Sequence, residues 1–165
     1  MTKTLKTIIF VAALAVIAVG IFSVLSQKQG LPDAQFTDLD GKTISLNDYK
    51  GKPLLVVFWA TDCPACVEEL PELRAVNTEY APKGLKIISI ALPHDRPKHL
   101  LAMRLEKQIP YTITWDKTGE LSDAFGGVRV TPTHLLYSPD GQVVMRKIGS
   151  VSKEMLEAKL TSMGL

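Results

Sequence analysis

The chain has 165 residues, 46% of them hydrophobic, with 19 Lys and Arg against 17 Asp and Glu. Its length suits one domain plus an appendage, and it carries no internal repeat or low-complexity segment. Setting Lys3 and Lys6 aside leaves 17 basic residues (19 − 2) against 17 acidic ones, with no basic stripe, so nucleic-acid binding has no electrostatic support.

Residues 1–7 hold Lys3 and Lys6 and no acid, and the apolar, uncharged run 8–25 follows. Eighteen residues at about 1.5 Å each span roughly 27 Å, close to a bilayer core. Positive charge stays cytoplasmic, so this run is expected to be a transmembrane anchor with the remainder outside. A cleaved signal peptide is the rival, with Val24-Leu25-Ser26 as the cut site. Residues 26–32 read as a polar linker, and 33–165 as the domain.

Within the domain, residues 35–39 and 43–46 alternate around Asp40-Gly41 and predict a hairpin. After a turn at 47–53, the run LLVVF at 54–58 predicts a buried strand. Apolar Val67, Leu70, Leu73 and Val76 recur every three residues and predict a helix, stopped by Pro82-Lys83-Gly84. LKIISIAL at 85–92 predicts a second buried strand, and the loop Pro93-His94-Asp95 follows it. A helix is expected from Pro97 to about Gln108, a strand over 111–115 and a short helix over 119–125. Strands at 134–137 and 142–148 flank Pro139-Asp140-Gly141 as a second hairpin, and Ser152 can cap a last helix over 153–163. Alternating strands and helices with a terminal hairpin imply an α/β fold, a mixed central sheet with helices on both faces. Functional loops gather at the carboxyl ends of parallel strands, and Cys63 and His94 both follow such ends.

Cys63-Pro64-Ala65-Cys66 holds the only two cysteines. They lie where a strand hands over to a helix, with Pro64 where a helix start tolerates proline. The reactive species of a thiol is its thiolate, and a helix start stabilises an anion. Cys63 is therefore expected to be the exposed nucleophile. Cys66, one turn further in, would be more buried and would resolve the mixed disulfide. The pair also fits half of a zinc site, with His94, His99 and His134 as the remaining candidate ligands and only His94-x₄-His99 suitably spaced, but tetrahedral zinc wants four. A static C-x-x-C bridge remains open too, though so short a loop stabilises little.

The segment from Phe36 to Pro71, F-x-x-x-D-G-x-x-I-x-L-x-x-Y-K-G-K-P-L-L-V-V-F-W-A-T-x-C-x-x-C-x-x-E-x-P, resembles the membrane-anchored TlpA/ResA-like branch of the thioredoxin superfamily. Val130-Thr131-Pro132-Thr133 is similar to the loop carrying that superfamily's cis-proline, and Pro71 to the kink proline of its active-site helix. The resemblance covers roughly residues 33–165 and implies a thioredoxin-like fold with Cys63 and Cys66 as a catalytic, redox-active disulfide. It implies a thiol:disulfide oxidoreductase, usually a reductant, needing no cofactor or metal. Its clients would be protein disulfides, including apocytochrome c thiols or cysteines that must bind copper. A membrane donor of the DsbD/CcdA type would recharge it, and the protein would be a monomer with its domain in the periplasm or on the outer face of the cytoplasmic membrane.

Two departures stand out. Asp62 occupies a position often held by Trp, and there it would oppose the helix-end stabilisation of the Cys63 thiolate. Val57 occupies the strand position of a buried Asp that relays protons in thioredoxin itself, so the proton for Cys66 must come from elsewhere. Glu69, at the C-x-x-E position, is one candidate; otherwise it is a solvated helix glutamate. Trp59 is expected to pack under the active-site turn, and Thr131 to offer its backbone to an incoming peptide strand. His134 reads best as a satisfied core histidine and His94 as loop polarity. Other readings of the same residues are a disulfide-forming oxidant or isomerase, and a copper metallochaperone using both cysteines and a histidine. A peroxidase is the weakest, because the usual P-x-x-x-T-x-x-C spacing is absent.

Overall fold

The computed structural model describes residues 30–165 throughout, and of the first 29 only Phe10, Ala12, Ala13, Val16 and Ile17, all helical. Most of the expected membrane-spanning run, and residues 26–29 of the linker, lie outside the described residues. Among those described, no helix is long and apolar enough to cross a membrane.

The alternating segments pair as expected. Strands β1 (Gln35–Thr37) and β2 (Thr43–Ser45) run antiparallel with Phe36 opposite Ile44, both buried. The Asp38 carboxylate accepts the Asp40 and Lys42 N–H groups at 2.9 Å each, which closes the turn. A single 3-10 turn, Leu46–Tyr49, is capped by Ser45 and leads to β3 (Leu54–Trp59), every residue of which is buried.

Helix α1 (Pro64–Glu68) and helix α2 (Leu70–Tyr80) follow β3. The three-residue periodicity predicted one helix here, and the structure breaks it at Glu69. Pro71 supplies the reason: it has no N–H to donate to the Val67 carbonyl, and its ring crowds that carbonyl. The chain continues through β4 (Lys86–Ala91), α3 (Pro97–Glu106), β5 (Thr112–Trp115), α4 (Glu120–Ala124), β6 (Thr133–Tyr137), β7 (Val143–Ile148) and α5 (Lys153–Ser162). Each lies within about two residues of its expected place.

The five-stranded sheet has the order β5-β4-β3-β6-β7. β3 pairs parallel with β4 and antiparallel with β6, so the sheet is mixed as the element order implied. Alternate residues of β3 enter two cores. Leu55, Val57 and Trp59 meet Leu73 and Val76 of α2, Leu100 of α3 and Leu156 and Leu160 of α5. Leu54, Val56 and Phe58 meet Leu121 and Phe125 of α4 and Phe36 and Ile44 of the hairpin. Helices thus cover both faces, three on one and α4 with the hairpin on the other. The hairpin also protects the β5 edge: Leu39 N–H donates to the Ile113 carbonyl at 3.0 Å and the Thr114 hydroxyl to the Thr37 carbonyl at 2.7 Å.

Phe58 is wholly buried and meets the Phe125 ring edge-on, centroids 5.5 Å apart. Phe58→Ala is expected to cost about 3–5 kcal/mol of folding free energy, the usual range for emptying an aromatic core site. Urea denaturation checks this through a lowered midpoint at unchanged slope.

Candidate active site

β3 delivers the chain to the edge of the sheet, where Ala60, Thr61 and Asp62 lead to Cys63. Cys63 is the N-cap of α1, in extended conformation, and Pro64 takes the first turn. The Cys66 N–H donates to Cys63 Sγ at 3.3 Å. Helix α1 has only five residues, so once the disulfide is reduced a Cys63 thiolate would draw its local stabilisation from this N–H rather than from a long helix dipole. The cysteines are joined in a disulfide with Cα atoms 5.3 Å apart. Cys66 is buried at 1% exposure, whereas Cys63 is only partly buried. That asymmetry is the one expected from the motif.

Two further loops converge on this turn. The Thr131–Pro132 bond is cis, as the motif led us to expect. Thr133 stands opposite Phe58, so the Pro132 loop enters β6 at the end of the sheet where β3 leaves for Cys63. Thr133 fastens this loop by donating its hydroxyl to the Val130 carbonyl at 2.7 Å. The other loop follows β4. Asp95 is buried and accepts the Thr61 N–H at 2.7 Å and the Thr61 hydroxyl at 2.9 Å. It also accepts the Arg96 N–H at 2.7 Å. The sequence marked Asp95 only as part of a loop. Its position just past the end of a buried parallel strand was the available signal.

Asp62 is not the isolated carboxylate that the sequence suggested. Its Oδ1 lies 3.2 Å from His94 Nε2, and both side chains are more than half exposed. The pair brackets the turn beside Cys63. His94 thus lies beside Asp62 in an exposed loop next to the site. Trp59 packs in the core cluster that holds Cys66, at 2% exposure, consistent with its expected place under the turn.

Glu69 is where the solvated alternative fails. It is buried at 4% exposure, and its Oε1 lies 2.9 Å from Nε2 of His134, which is fully buried. Its Oε2 accepts the Val151 N–H at 3.4 Å. Glu69 keeps helical dihedrals at the junction, and its spacing from Cys66 puts both on the buried face. His134 stands opposite Val57 in the β3–β6 ladder, so its ring shares that face of the sheet. A buried ionisable pair thus lies in the layer where Val57 leaves the strand without a carboxylate. Tyr111 lies near it, its hydroxyl pushed well above the usual range, first by burial and then by the charge of Glu69. Among the described residues, no cluster of three or more His, Cys, Asp or Glu is arranged to hold a metal ion.

Residues 28–146 match the AhpC/TSA family. The thiol-disulfide oxidoreductase ResA of Bacillus thuringiensis subsp. konkukian is 33% identical over 132 residues, covering 78% of this chain and 73% of that protein. The thioredoxin-like protein YneN of Bacillus subtilis is 29% identical, covering 82% of this chain and 79% of its own length. Among solved structures, a thioredoxin-family thiol:disulfide interchange protein from Chlorobium tepidum superposes with a TM-score of 0.76 at 26% identity. It covers 84% of this chain and 97% of that one.

Asp95→Ala would leave the Thr61 N–H and hydroxyl without their acceptor. It is expected to cost about 1–3 kcal/mol of stability and to loosen the turn that presents Cys63. Amide hydrogen exchange at Thr61 and Cys63 checks the second effect, with faster exchange expected in the variant.

Proposed function

Because the chain belongs to the AhpC/TSA family and is a thiol-disulfide oxidoreductase of the ResA type, we propose that it works as a reductant of client protein disulfides outside the cytoplasm. The observation that carries this reading is the unequal burial of Cys63 and Cys66 within one disulfide at the sheet edge. In the reduced protein the Cys63 thiolate attacks a client disulfide. A Cys63–client bond forms, the client's own bond breaks, and one client sulfur leaves as a thiolate. Cys66 then gives up its proton and attacks Cys63 Sγ. The Cys63–Cys66 bond forms and the second client sulfur leaves, so the client gains two electrons and the protein loses them.

The surrounding charges support the reducing direction. A strongly stabilised thiolate marks an oxidant. Here Asp62 adjoins Cys63 in sequence and Glu69 lies one turn beyond Cys66, and both carboxylates disfavour a nearby thiolate. In this reading Glu69 is the acceptor for the Cys66 proton, taking the part that Val57 cannot. The cis-Pro132 loop, with the Thr131 backbone, forms the rest of the surface against which the client strand lies. Trp59 and Pro64 hold the turn in shape.

The apolar run 8–25, preceded by Lys3 and Lys6, supports a single-pass anchor with residues 1–7 in the cytoplasm and domain 33–165 on the far side of the linker. Recharging then falls to a membrane electron donor of the DsbD/CcdA type. Clients include cysteines that must be reduced before haem attachment or metal loading.

Cys63→Ser is expected to abolish reduction of insulin disulfides. Cys66→Ser is expected to leave a long-lived mixed disulfide on Cys63, detectable by mass. Faster iodoacetamide capture by Cys66 than by Cys63 in the reduced protein would reverse the assignment.

A further inference from the structure

The buried histidine of β6 has no part in the thiol exchange between Cys63, Cys66 and client. His134 is fully buried, and its ring is fastened at one end only. Nε2 lies 2.9 Å from Glu69 Oε1, while Nδ1 meets no hydrogen-bond partner among the described residues. This pattern assigns the tautomer. An imidazolium, or an Nδ1–H tautomer, would bury an N–H with no acceptor, which is costly. A neutral ring with its proton on Nε2 leaves only a bare lone pair at Nδ1. Nε2–H then donates to Glu69 Oε1 while the Val151 N–H donates to Oε2, so both carboxyl oxygens are held as acceptors.

We propose that His134 is a positioning residue for the resolving step: it holds the Glu69 carboxylate ionised and aimed, so that Glu69 can take the Cys66 proton. This deepens the dithiol-exchange reading and rests on it. The transfer conserves charge. Cys66 thiol and Glu69 carboxylate become Cys66 thiolate and Glu69 carboxylic acid, with one negative charge in the core before and after. The proton returns when the Cys63–Cys66 disulfide is next reduced. His134 neither gains nor loses a proton in the cycle; it supplies an N–H.

The groups facing the pair are few. Cys66 of α1 lies three residues before Glu69 on the same helical face, Val57 of β3 stands opposite His134 and is apolar, and the Val151 amide comes from the segment before α5. Tyr111, ahead of β5, keeps its proton because burial and Glu69 both raise its hydroxyl, with Arg74 of α2 a weaker opposing influence. No cation directly contacts Glu69 among the described residues except the ring of His134, if that were charged. A neutral donor on His134 is thus the main hold on the carboxylate.

The test is stopped-flow reaction of the reduced protein with dithiobis(nitrobenzoate) across pH. Release of the first thionitrobenzoate reports Cys63, and release of the second reports ring closure by Cys66. Ring closure should slow as pH falls, with an inflection that Glu69→Gln abolishes. Losing the donor weakens the charged form of Glu69, so the sign is upward: His134→Leu should move the inflection about one to two pH units higher. Below both inflections its ring closure should be about 10- to 100-fold slower, with the first release unchanged. His134→Gln keeps an N–H that can reach Glu69 and should stay close to wild type. Glu69→Gln combined with His134→Leu should be no slower than Glu69→Gln alone. An unmoved inflection in His134→Leu overturns the proposal. So does a His134→Gln profile like that of leucine, or fully additive rates in the double variant. If the wild type releases only one equivalent, dithiol exchange itself fails and the proposal falls with it. Ring ¹⁵N shifts of His134 need no variant: neutral Nε2–H is expected, and an imidazolium or Nδ1–H overturns the assignment.

Discussion

β3 is buried on both faces and bonded on both edges, and the site depends on that constraint. Its parallel partner β4 brings Asp95 and His94 to the edge where Cys63 emerges. Its antiparallel partner β6 starts from the cis-Pro132 loop at the same edge. Three segments distant in sequence therefore meet because one strand cannot shift register. A slip of one residue would exchange Val57 and Trp59 with Phe58 between the two cores, and both cores would lose their fit. Asp95 then secures the turn itself, through two hydrogen bonds to Thr61.

Around this frame the charges are arranged in two tiers. Outside, Asp62 and His94 face solvent, where their attraction is screened and modest. Inside, Glu69 and His134 are buried, where a carboxylate without a hydrogen-bond donor would be expensive. In the proposed cycle this buried pair serves the resolving cysteine, with Glu69 three residues beyond Cys66 on the same helical face. A carboxylate one helical turn beyond that cysteine opposes thiolate formation and so favours the disulfide, which is the electrostatic condition for a reductant.

Much of this was legible from local pattern. The run Leu54–Phe58, the C-x-x-C at a helix start and both hairpin turns each follow from residues close in sequence, and each appears where expected. The spacing Val67, Leu70, Leu73, Val76 was a true periodicity, and the break at Glu69 is the kink that the resemblance assigned to Pro71. Glu69 itself reads as an ordinary exposed helix acid, although its spacing from Cys66 places it on the buried face. Its partner His134 lies 65 positions away, and only the β3–β6 register brings the two together. Asp95 and Thr61, like His94 and Asp62, are pairings across the β3–β4 crossover, which no local signal specifies.

The most direct measurement of the central claim is the reduction potential of the Cys63–Cys66 couple, found by equilibrating the protein with thiol redox buffers at fixed pH. A value near that of thioredoxin, about −270 mV, or lower is expected of a protein that donates electrons to client disulfides. A value near about −120 mV, where strong disulfide-forming oxidants lie, would contradict it and make the protein an acceptor of electrons instead.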